Sequence, residues 1–193
     1  MKNNYRILKN TVLHDGFFKL KELTLKYKKH NGDWSEKINR EIFVGASVAA
    51  VLPYDHLKKK IILNTQFRAG VLQKKINPKL TEIVAGIIDK DETPREAAIR
   101  ECKEETGCKI KKIYKIFSYF PMPASCETYY HVFLGDVDSF RGTRITGKNE
   151  EGEDILVKCF NISEVKKLVK ENKIVHGLTL TALQWFFLKY NKD

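Results

Sequence analysis

The sequence lacks long apolar runs, paired cysteine motifs and linker-like tracts. No apolar run approaches the roughly 18 residues that a membrane-spanning helix needs. The start, MKNNYRILKN, has neither the apolar stretch nor the small-residue cleavage site of a secretory signal. The four cysteines form no Cys-x-x-Cys pair, which excludes a zinc ribbon and a thioredoxin-type motif. We therefore expect a cytoplasmic protein without a disulfide framework and without a membrane partner.

Acidic residues are the scarcer charged class, since 24 Asp+Glu stand against 35 Lys+Arg for a formal net charge of +11. Such a balance attracts nucleic acid, a nucleotide or an anionic membrane surface. The lysines are scattered, however, and no aromatic residues alternate with them as a base-stacking surface requires. The charge fits an anionic substrate, and we do not expect a nucleic-acid partner.

With 193 residues, the chain is long enough for one sizeable domain with a small appended one. The first forty-odd residues are typical of β structure, with apolar residues from Phe18 to Tyr27 and a hairpin turn at Asn31-Gly32. A β segment of this size is too small to fold alone. We divide the chain into this N-terminal β subdomain, residues 1–44, and a main domain, residues 45–193.

The main domain alternates between strands and a few helices. Thr93, Pro94 and Glu96 form a capping box that predicts a helix to about Thr106, ended by Gly107. Residues 141–152 are polar and predict a mobile loop. The pattern predicts a mixed α/β fold with these further elements: strands at 46–52, 61–67, 82–88, 110–119, 128–137 and 155–160, and helices at 163–171 and 178–190.

The first helix carries Glu101, Glu104 and Glu105 at positions i, i+3 and i+4, which lie on one face. Three carboxylates on one face repel each other unless a cation neutralises them, and Mg²⁺ prefers such oxygen ligands together with substrate phosphates. Taken alone, the pattern also fits a solvated acidic helix face. Three apolar residues point elsewhere and are expected in the core: Ala98, Ile99 and Cys102.

The stretch around these glutamates resembles the Nudix box, G-x5-E-x7-R-E-U-x-E-E-x-G-U with U apolar. Every specified position matches: Gly86, Glu92, Arg100, Glu101, Cys102, Glu104, Glu105, Gly107 and Cys108. The resemblance implies hydrolysis of a nucleoside diphosphate linked to another moiety, with Mg²⁺ or Mn²⁺ as cofactor. It also implies an α/β/α sandwich, preceded here by the antiparallel β subdomain.

The resemblance assigns roles within the box. Glu101 and Glu105 correspond to metal ligands, and Glu104 to a further metal-binding or supporting carboxylate. The structural positions of the box are Gly86, Glu92, Arg100 and Gly107. Metals neutralise the diphosphate and activate water, which agrees with an acidic helix face.

The flanking sequence resembles the ADP-ribose pyrophosphatase family along nearly the whole chain, in segments such as GFFKL, NREIF, NTQFR, EIVAGIID and ALQWF. A proline about sixteen residues beyond the box, here Pro123, marks that family. Two features depart from it: Val84 replaces the usual proline, and the loop at Met122–Ser125 is one residue shorter. The resemblance implies hydrolysis of ADP-ribose to AMP and ribose 5-phosphate.

The same resemblance places the substrate contacts. Ala85 would bind metal through its backbone oxygen, and Arg68 would face the diphosphate, which its guanidinium fork suits. The remaining contacts fall on the adenine, nucleotide and ribose sides of the site: Phe17, Phe18, Arg40, Glu41, Ile87, Met122, Pro123, Ala124 and Glu127.

The acidic segment from Glu150 to Asp154 ends the polar loop. Resemblance to the family places the general base at Glu151 and a further metal ligand at Glu153, with Glu150 as the alternative base. In this family the N-terminal strands commonly exchange across a two-fold dimer, so we expect a homodimer. The alternatives are a pyrophosphatase for GDP-mannose or another nucleoside diphosphate sugar, and a Nudix module that binds nucleotides without catalysis.

Overall fold

The computed structural model describes residues 4–148, 150 and 152–190. The chain forms two compact units. The first contains the N-terminal residues up to Ser47 together with Tyr119–Tyr129, and the second contains Val48–Ser118 and the residues from Tyr130 onward. The sequence did not indicate that the segment Tyr119–Tyr129 joins the N-terminal unit.

The first unit is built on a three-stranded antiparallel sheet in the order β1-β2-β3. The bounds are β1 (Tyr5–Asp15), β2 (Lys19–Tyr27) and β3 (Ile38–Val44). The predicted hairpin turn is present, with Gly32 at a positive φ of 91°. The segment Tyr119–Tyr129 docks on β3, where the Phe43 N–H donates to the Ser125 carbonyl at 2.7 Å.

The second unit contains an eight-stranded sheet whose main path runs β10-β11-β5-β4-β9-β8. β4 and β9 are parallel, whereas β5 is antiparallel to β4, β6 and β11. β4 and β5 share only two residue pairs and then separate, so that β6 pairs with β5 and β7 pairs with β4. The bounds are β4 (Val48–Asp55), β5 (Lys60–Phe67), β6 (Lys79–Glu82), β7 (Val84–Ile87), β8 (Lys112–Tyr119), β9 (Tyr130–Asp136), β10 (Thr143–Thr146) and β11 (Ile155–Asn161).

In the part of the second unit that the structure describes, three α-helices complete the fold: α1 (Pro94–Thr106), α2 (Ile162–Lys170) and α3 (Gly177–Tyr190), with a short 3₁₀ helix at Ala69–Lys74. α1 has the predicted ends. Thr93 and Glu96 exchange the two bonds of the capping box, and Gly107 ends the helix at a positive φ of 67°. Within the described residues, no helix is long and apolar enough to cross a membrane.

The core lies on both faces of the sheet because successive strand residues point to opposite sides. Ala49 and Val51 of β4 belong to the cluster that includes Ala98 and Cys102 of α1. On the other face Tyr54 packs edge-on against Phe186 of α3, with ring centroids 4.8 Å apart. The sheet is thus covered by α1 on one side and by α3 on the other.

Three details of the sequence prediction were wrong. Ile99 is exposed rather than in the core. The single strand predicted at 82–88 is two strands, since Ile83 separates β6 from β7 and its N–H donates to the Thr179 hydroxyl. The polar stretch 141–152 is not all loop, because residues Thr143–Thr146 pair with β11.

The last residue of β4 is a buried aspartate, only 2% exposed, that supports the fold. One oxygen of Asp55 accepts the N–H groups of Leu57 and Lys58, and the other accepts the N–H and hydroxyl of Ser139. Burial alone would raise the pKa of Asp55, but the hydrogen bonds from Lys58 and Ser139 lower it from 3.8 to about 2. The ionised carboxylate therefore stabilises the folded state.

We expect Asp55→Asn to lower the free energy of unfolding at neutral pH by about 2 kcal/mol. Because the folded-state pKa is depressed, the contribution is complete above pH 3.8 and is lost as the pH falls toward about 2. Urea unfolding at several pH values measures this, with Asp138→Asn as the control, since Asp138 forms an exposed pair with Lys111. An equal loss in both variants would contradict the assignment.

A carboxylate cluster as the candidate active site

The last two turns of α1 present the three glutamates at different depths. Glu101 and Glu104 are half-buried, whereas Glu105 is only 4% exposed. Asn64 of β5 donates from Nδ2 to Oε2 of Glu105 at 2.5 Å. The predicted acidic face is therefore present, but Glu105 lies inside the protein, against the sheet.

Arg100 organises the carboxylates around it. Its Nε and Nη2 donate to both oxygens of Glu92 at 2.9 Å, and its Nη1 donates to Glu101 at 2.6 Å and to Glu104 at 3.4 Å. Nη2 also donates to the Ile87 carbonyl at 3.1 Å. One guanidinium thus ties the segment before α1 to the helix.

Gly86 of β7 makes room for Glu101. A Cβ atom at this position would lie 2.0 Å from Oε1 of Glu101, so any other residue would displace the carboxylate. Ala85, one residue earlier, is half-buried and pairs with Ala50 of β4. The glycine of the box is explained by this close approach.

The carboxylates disturb one another electrostatically. Burial, with added repulsion from Glu101, Glu153 and Glu82, raises the pKa of Glu105 from 4.5 to about 9, although Arg68 opposes the shift. Burial also raises the pKa of Glu101, against the opposing effect of Arg100. A cluster of this kind favours either protons or a cation.

An ion pair that the sequence did not indicate joins the partly exposed Arg68 to the buried Glu82, and both residues interact electrostatically with Glu105. The carboxylate of Glu82 is 1% exposed and accepts from Nε and Nη2 of Arg68, with a shortest distance of 2.8 Å. Both oxygens of Glu82 are used, whereas Nη1 of Arg68 is not part of this pair. No signal in the strand pattern marked Glu82 as a partner of Arg68.

The loop after β10 borders the same cluster. Lys148 forms an ion pair with Glu104 at 3.0 Å, and its N–H donates to Glu153 at 3.2 Å. Gly147 has a φ of 105° and lies close to Glu153. A Cβ atom added at Gly147 would be 2.8 Å from the Cβ of Glu153. Glu150 is exposed. Glu151, the predicted base, lies outside the described residues.

The donor set suits a hard divalent cation. All four side chains that the sequence assigned to metal are carboxylates, and burial of Glu105 and Glu101 raises their pKa and so disfavours their charged forms unless a cation lies close by. Among the described residues, no three Asp, Glu, His or Cys side chains already converge on one point. Arg100 and Lys148 instead neutralise part of the charge on Glu101 and Glu104.

The remaining predicted substrate contacts fall mainly in the first unit. Phe17 is 89% exposed and Phe18 is 55% exposed, and their rings meet edge-on at 4.8 Å. Glu127 pairs with Lys21 at 2.6 Å. The other predicted contacts of this unit are exposed residues of β3 and of the loop before Glu127: Arg40, Glu41, Met122, Pro123 and Ala124. Ile87, in the second unit, is exposed at the end of β7.

Comparison with known proteins agrees with this geometry. A family model described as NUDIX domain matches residues 45–178. The chain belongs to the Nudix hydrolase family. A second model, described as the GDP-mannose pyrophosphatase NudK N-terminal domain, matches residues 4–43. The family predicted from the box is therefore confirmed.

The relatives of this Nudix chain include proteins named ADP-ribose pyrophosphatase and proteins named GDP-mannose pyrophosphatase. An ADP-ribose pyrophosphatase of Haemophilus influenzae is 33% identical over 98% of the chain and 88% of the relative, and that of Escherichia coli K12 is 31% identical over 98% and 90%. A GDP-mannose pyrophosphatase of Salmonella arizonae is 29% identical over 98% of both. A crystal structure of an ADP compounds hydrolase superposes with a TM-score of 0.73 at 16% identity, covering 99% of this chain and 98% of that one, which confirms the fold class.

Proposed function

We propose that this Nudix hydrolase cleaves the diphosphate of ADP-ribose, giving AMP and ribose 5-phosphate, with Mg²⁺ as cofactor and Mn²⁺ as a substitute. The carboxylate cluster at the end of α1 carries the proposal for the chemistry, because Glu105, only 4% exposed, lies on the same helix face as the half-buried Glu101 and Glu104, and carboxylates are ligands that a hard divalent cation prefers. The full-length similarity to ADP-ribose pyrophosphatases supports the choice of substrate.

Each residue has a physical task in this mechanism. Glu101, Glu105 and Glu153, with the Ala85 carbonyl and Glu104, would hold the divalent cation, which supplies charge neutralisation and an activated water. Arg100 fixes the helix face by its bonds to Glu92 and Glu101. Arg68, whose Nη1 is not engaged by Glu82, would contact the diphosphate.

We propose Glu151 as the general base. A water oxygen attacks phosphorus, its proton passes to Glu151, and the bridging oxygen leaves with the other phosphate. The described residues on either side of this position support the choice, since Lys148 pairs with Glu104 and its N–H donates to Glu153. Phe17, Phe18, Arg40 and Glu41 would contact the nucleotide, and the ribose contacts would be Ile87, Met122, Pro123, Ala124 and Glu127.

The base assignment predicts a separation of effects. We expect Glu151→Gln to lower kcat by about 100-fold or more while Mg²⁺ and ADP-ribose still bind, because only the proton acceptor is removed. Glu153→Gln is expected mainly to weaken metal binding. Steady-state kinetics with isothermal titration of each ligand measures both. Normal turnover of Glu151→Gln with a defective Glu150→Gln would move the base by one residue.

GDP-mannose is the second candidate substrate, favoured by the match of residues 4–43 to a GDP-mannose pyrophosphatase N-terminal domain. We expect kcat/KM for ADP-ribose to exceed that for GDP-mannose by at least about tenfold, a difference of about 1.4 kcal/mol in transition-state binding. Measuring kcat/KM for a panel of nucleoside diphosphate sugars, with identification of the products, distinguishes the two candidate substrates. Faster GDP-mannose hydrolysis would reverse the order, and no Mg²⁺-dependent hydrolysis of any member would indicate a binding module.

We also propose a cytoplasmic homodimer that exchanges the N-terminal sheet. Both faces of β1 carry exposed apolar side chains, with Ile7 52%, Leu8 51%, Val12 63% and Leu13 48% exposed. Apolar surface of this kind on a three-stranded sheet favours burial against a partner. A one-chain mass in light scattering at micromolar concentration would contradict it.

A further inference from the structure

Asn64 is a polar residue at a position where the strand is otherwise apolar. It lies in β5 after Ile61, Ile62 and Leu63, and it is fully buried. Its Nδ2 lies 2.5 Å from Oε2 of Glu105, across the contact between the sheet and α1. Burial of an amide costs free energy unless a partner recovers it, so this residue needs an explanation.

The hydrogen bonding of Asn64 singles out Glu105. Within the described part of the chain, Oδ1 of Asn64 has no hydrogen-bond partner, whereas Nδ2 has Glu105. A carboxylate only accepts, so the amide presents its donor to it. An aliphatic residue would fill the same space, as the three preceding residues do, but it would leave Glu105 buried without this bond.

We propose that Asn64 is a positioning residue for the metal site, acting through Glu105. Its amide binds one oxygen of the carboxylate and fixes the side-chain rotamer, which leaves the other oxygen to the divalent cation. Partners of this kind orient metal ligands in proteins generally, and their loss weakens metal affinity by about 10- to 100-fold. The inference rests on the proposed function, in which Glu105 is a ligand.

Gln66 provides a matched control on the same strand. It is two residues further along β5, so its side chain lies on the same face, and it is 7% exposed. Its Nε2 has no hydrogen-bond partner in the described residues. Gln66→Leu therefore removes a buried amide without removing a bond to the carboxylate cluster.

The test is Mn²⁺ binding without substrate, followed by electron paramagnetic resonance, on the wild type, Asn64→Leu and Gln66→Leu. We expect the Mn²⁺ dissociation constant to rise about 10- to 100-fold in Asn64→Leu and to stay within about twofold in Gln66→Leu. If Asn64→Leu does not fold, Asn64→Ala removes the same donor without added bulk. In the proposed hydrolysis of ADP-ribose, we expect Asn64→Leu to need a higher Mg²⁺ concentration for half-maximal activity, while its KM for ADP-ribose is unchanged.

The outcomes separate the two proposals. A wild type that binds no Mn²⁺ overturns the proposed metal-dependent function and the inference with it. A wild type that binds Mn²⁺ while Asn64→Leu or Asn64→Ala binds it equally well overturns the inference alone. If the Asn64 and Gln66 variants lose Mn²⁺ affinity equally, Asn64 contributes only to packing, and the inference is again overturned.

Discussion

Replacing Glu105 by glutamine is expected to lower kcat by about three orders of magnitude, an increase of about 4 kcal/mol in the activation free energy. The change removes a negative charge from the most buried carboxylate of the cluster but keeps its shape. Glutamine still offers an oxygen to Asn64 yet cannot supply an anionic ligand. Steady-state kinetics at saturating Mg²⁺ measures the effect.

The same variant should fold at least as well as the wild type in the absence of metal, because burial raises the pKa of Glu105 to about 9, so that its carboxylate must take up a proton on folding at neutral pH, whereas glutamine need not. Differential scanning calorimetry of the metal-free proteins tests this. Glu171→Gln makes the same chemical change in an exposed pair with Lys167 and should leave both activity and stability unchanged. Near-normal activity of Glu105→Gln would remove Glu105 from the metal ligands.

Replacing Arg68 by methionine is expected to destabilise the fold by about 3 kcal/mol, since it leaves the buried Glu82 carboxylate without a guanidinium and with only the more distant His176 Nδ1, at 3.6 Å, as a neighbour of that kind among the described residues. This value is the lower end of the roughly 3 to 5 kcal/mol that removing one partner of a buried ion pair costs. We choose the lower end because only Glu82 is buried, at 1% exposed, whereas the Arg68 side chain is 42% exposed. The double variant Arg68→Met/Glu82→Gln should recover most of the loss. Urea unfolding of both single variants and of the double variant completes the cycle.

Additive losses in that cycle would show that the two side chains do not depend on each other. An unchanged midpoint for Arg68→Met would contradict the pairing itself. The stability measurement also matters for the proposed diphosphate contact. A kinetic defect in Arg68→Met is attributable to phosphate recognition only for the fraction of protein that remains folded.

The sequence predicted best what depends on neighbouring residues. α1 begins and ends where its capping box and Gly107 indicate, because both signals act within one turn of the helix. The Nudix box is also local, so the carboxylates could be placed on one face. The burial of Glu105 could not be predicted, since it depends on β5 and Asn64, 41 residues earlier.

The errors fall where partners are distant in the chain. β10 has only four residues and becomes a strand by pairing with β11, not by its own composition. Ile83 interrupts a run that looks like one strand because Thr179 of α3 takes its N–H. Ile99 fitted an apolar helix stripe, but its side chain is 38% exposed among the described residues. Such outcomes depend on tertiary packing, which outweighs local preference.

The end of α1 is completed by a strand that comes much later in the chain. The Thr146 hydroxyl donates to the Glu105 carbonyl, 41 residues earlier, and Arg144 donates to the Thr106 carbonyl at 3.2 Å. During synthesis the helix can therefore form early, from local contacts alone, while its last turn waits for β10 to arrive. We therefore expect the acidic face to reach its final form only once β10 has docked on the last turn of the helix, later in folding than the helix itself.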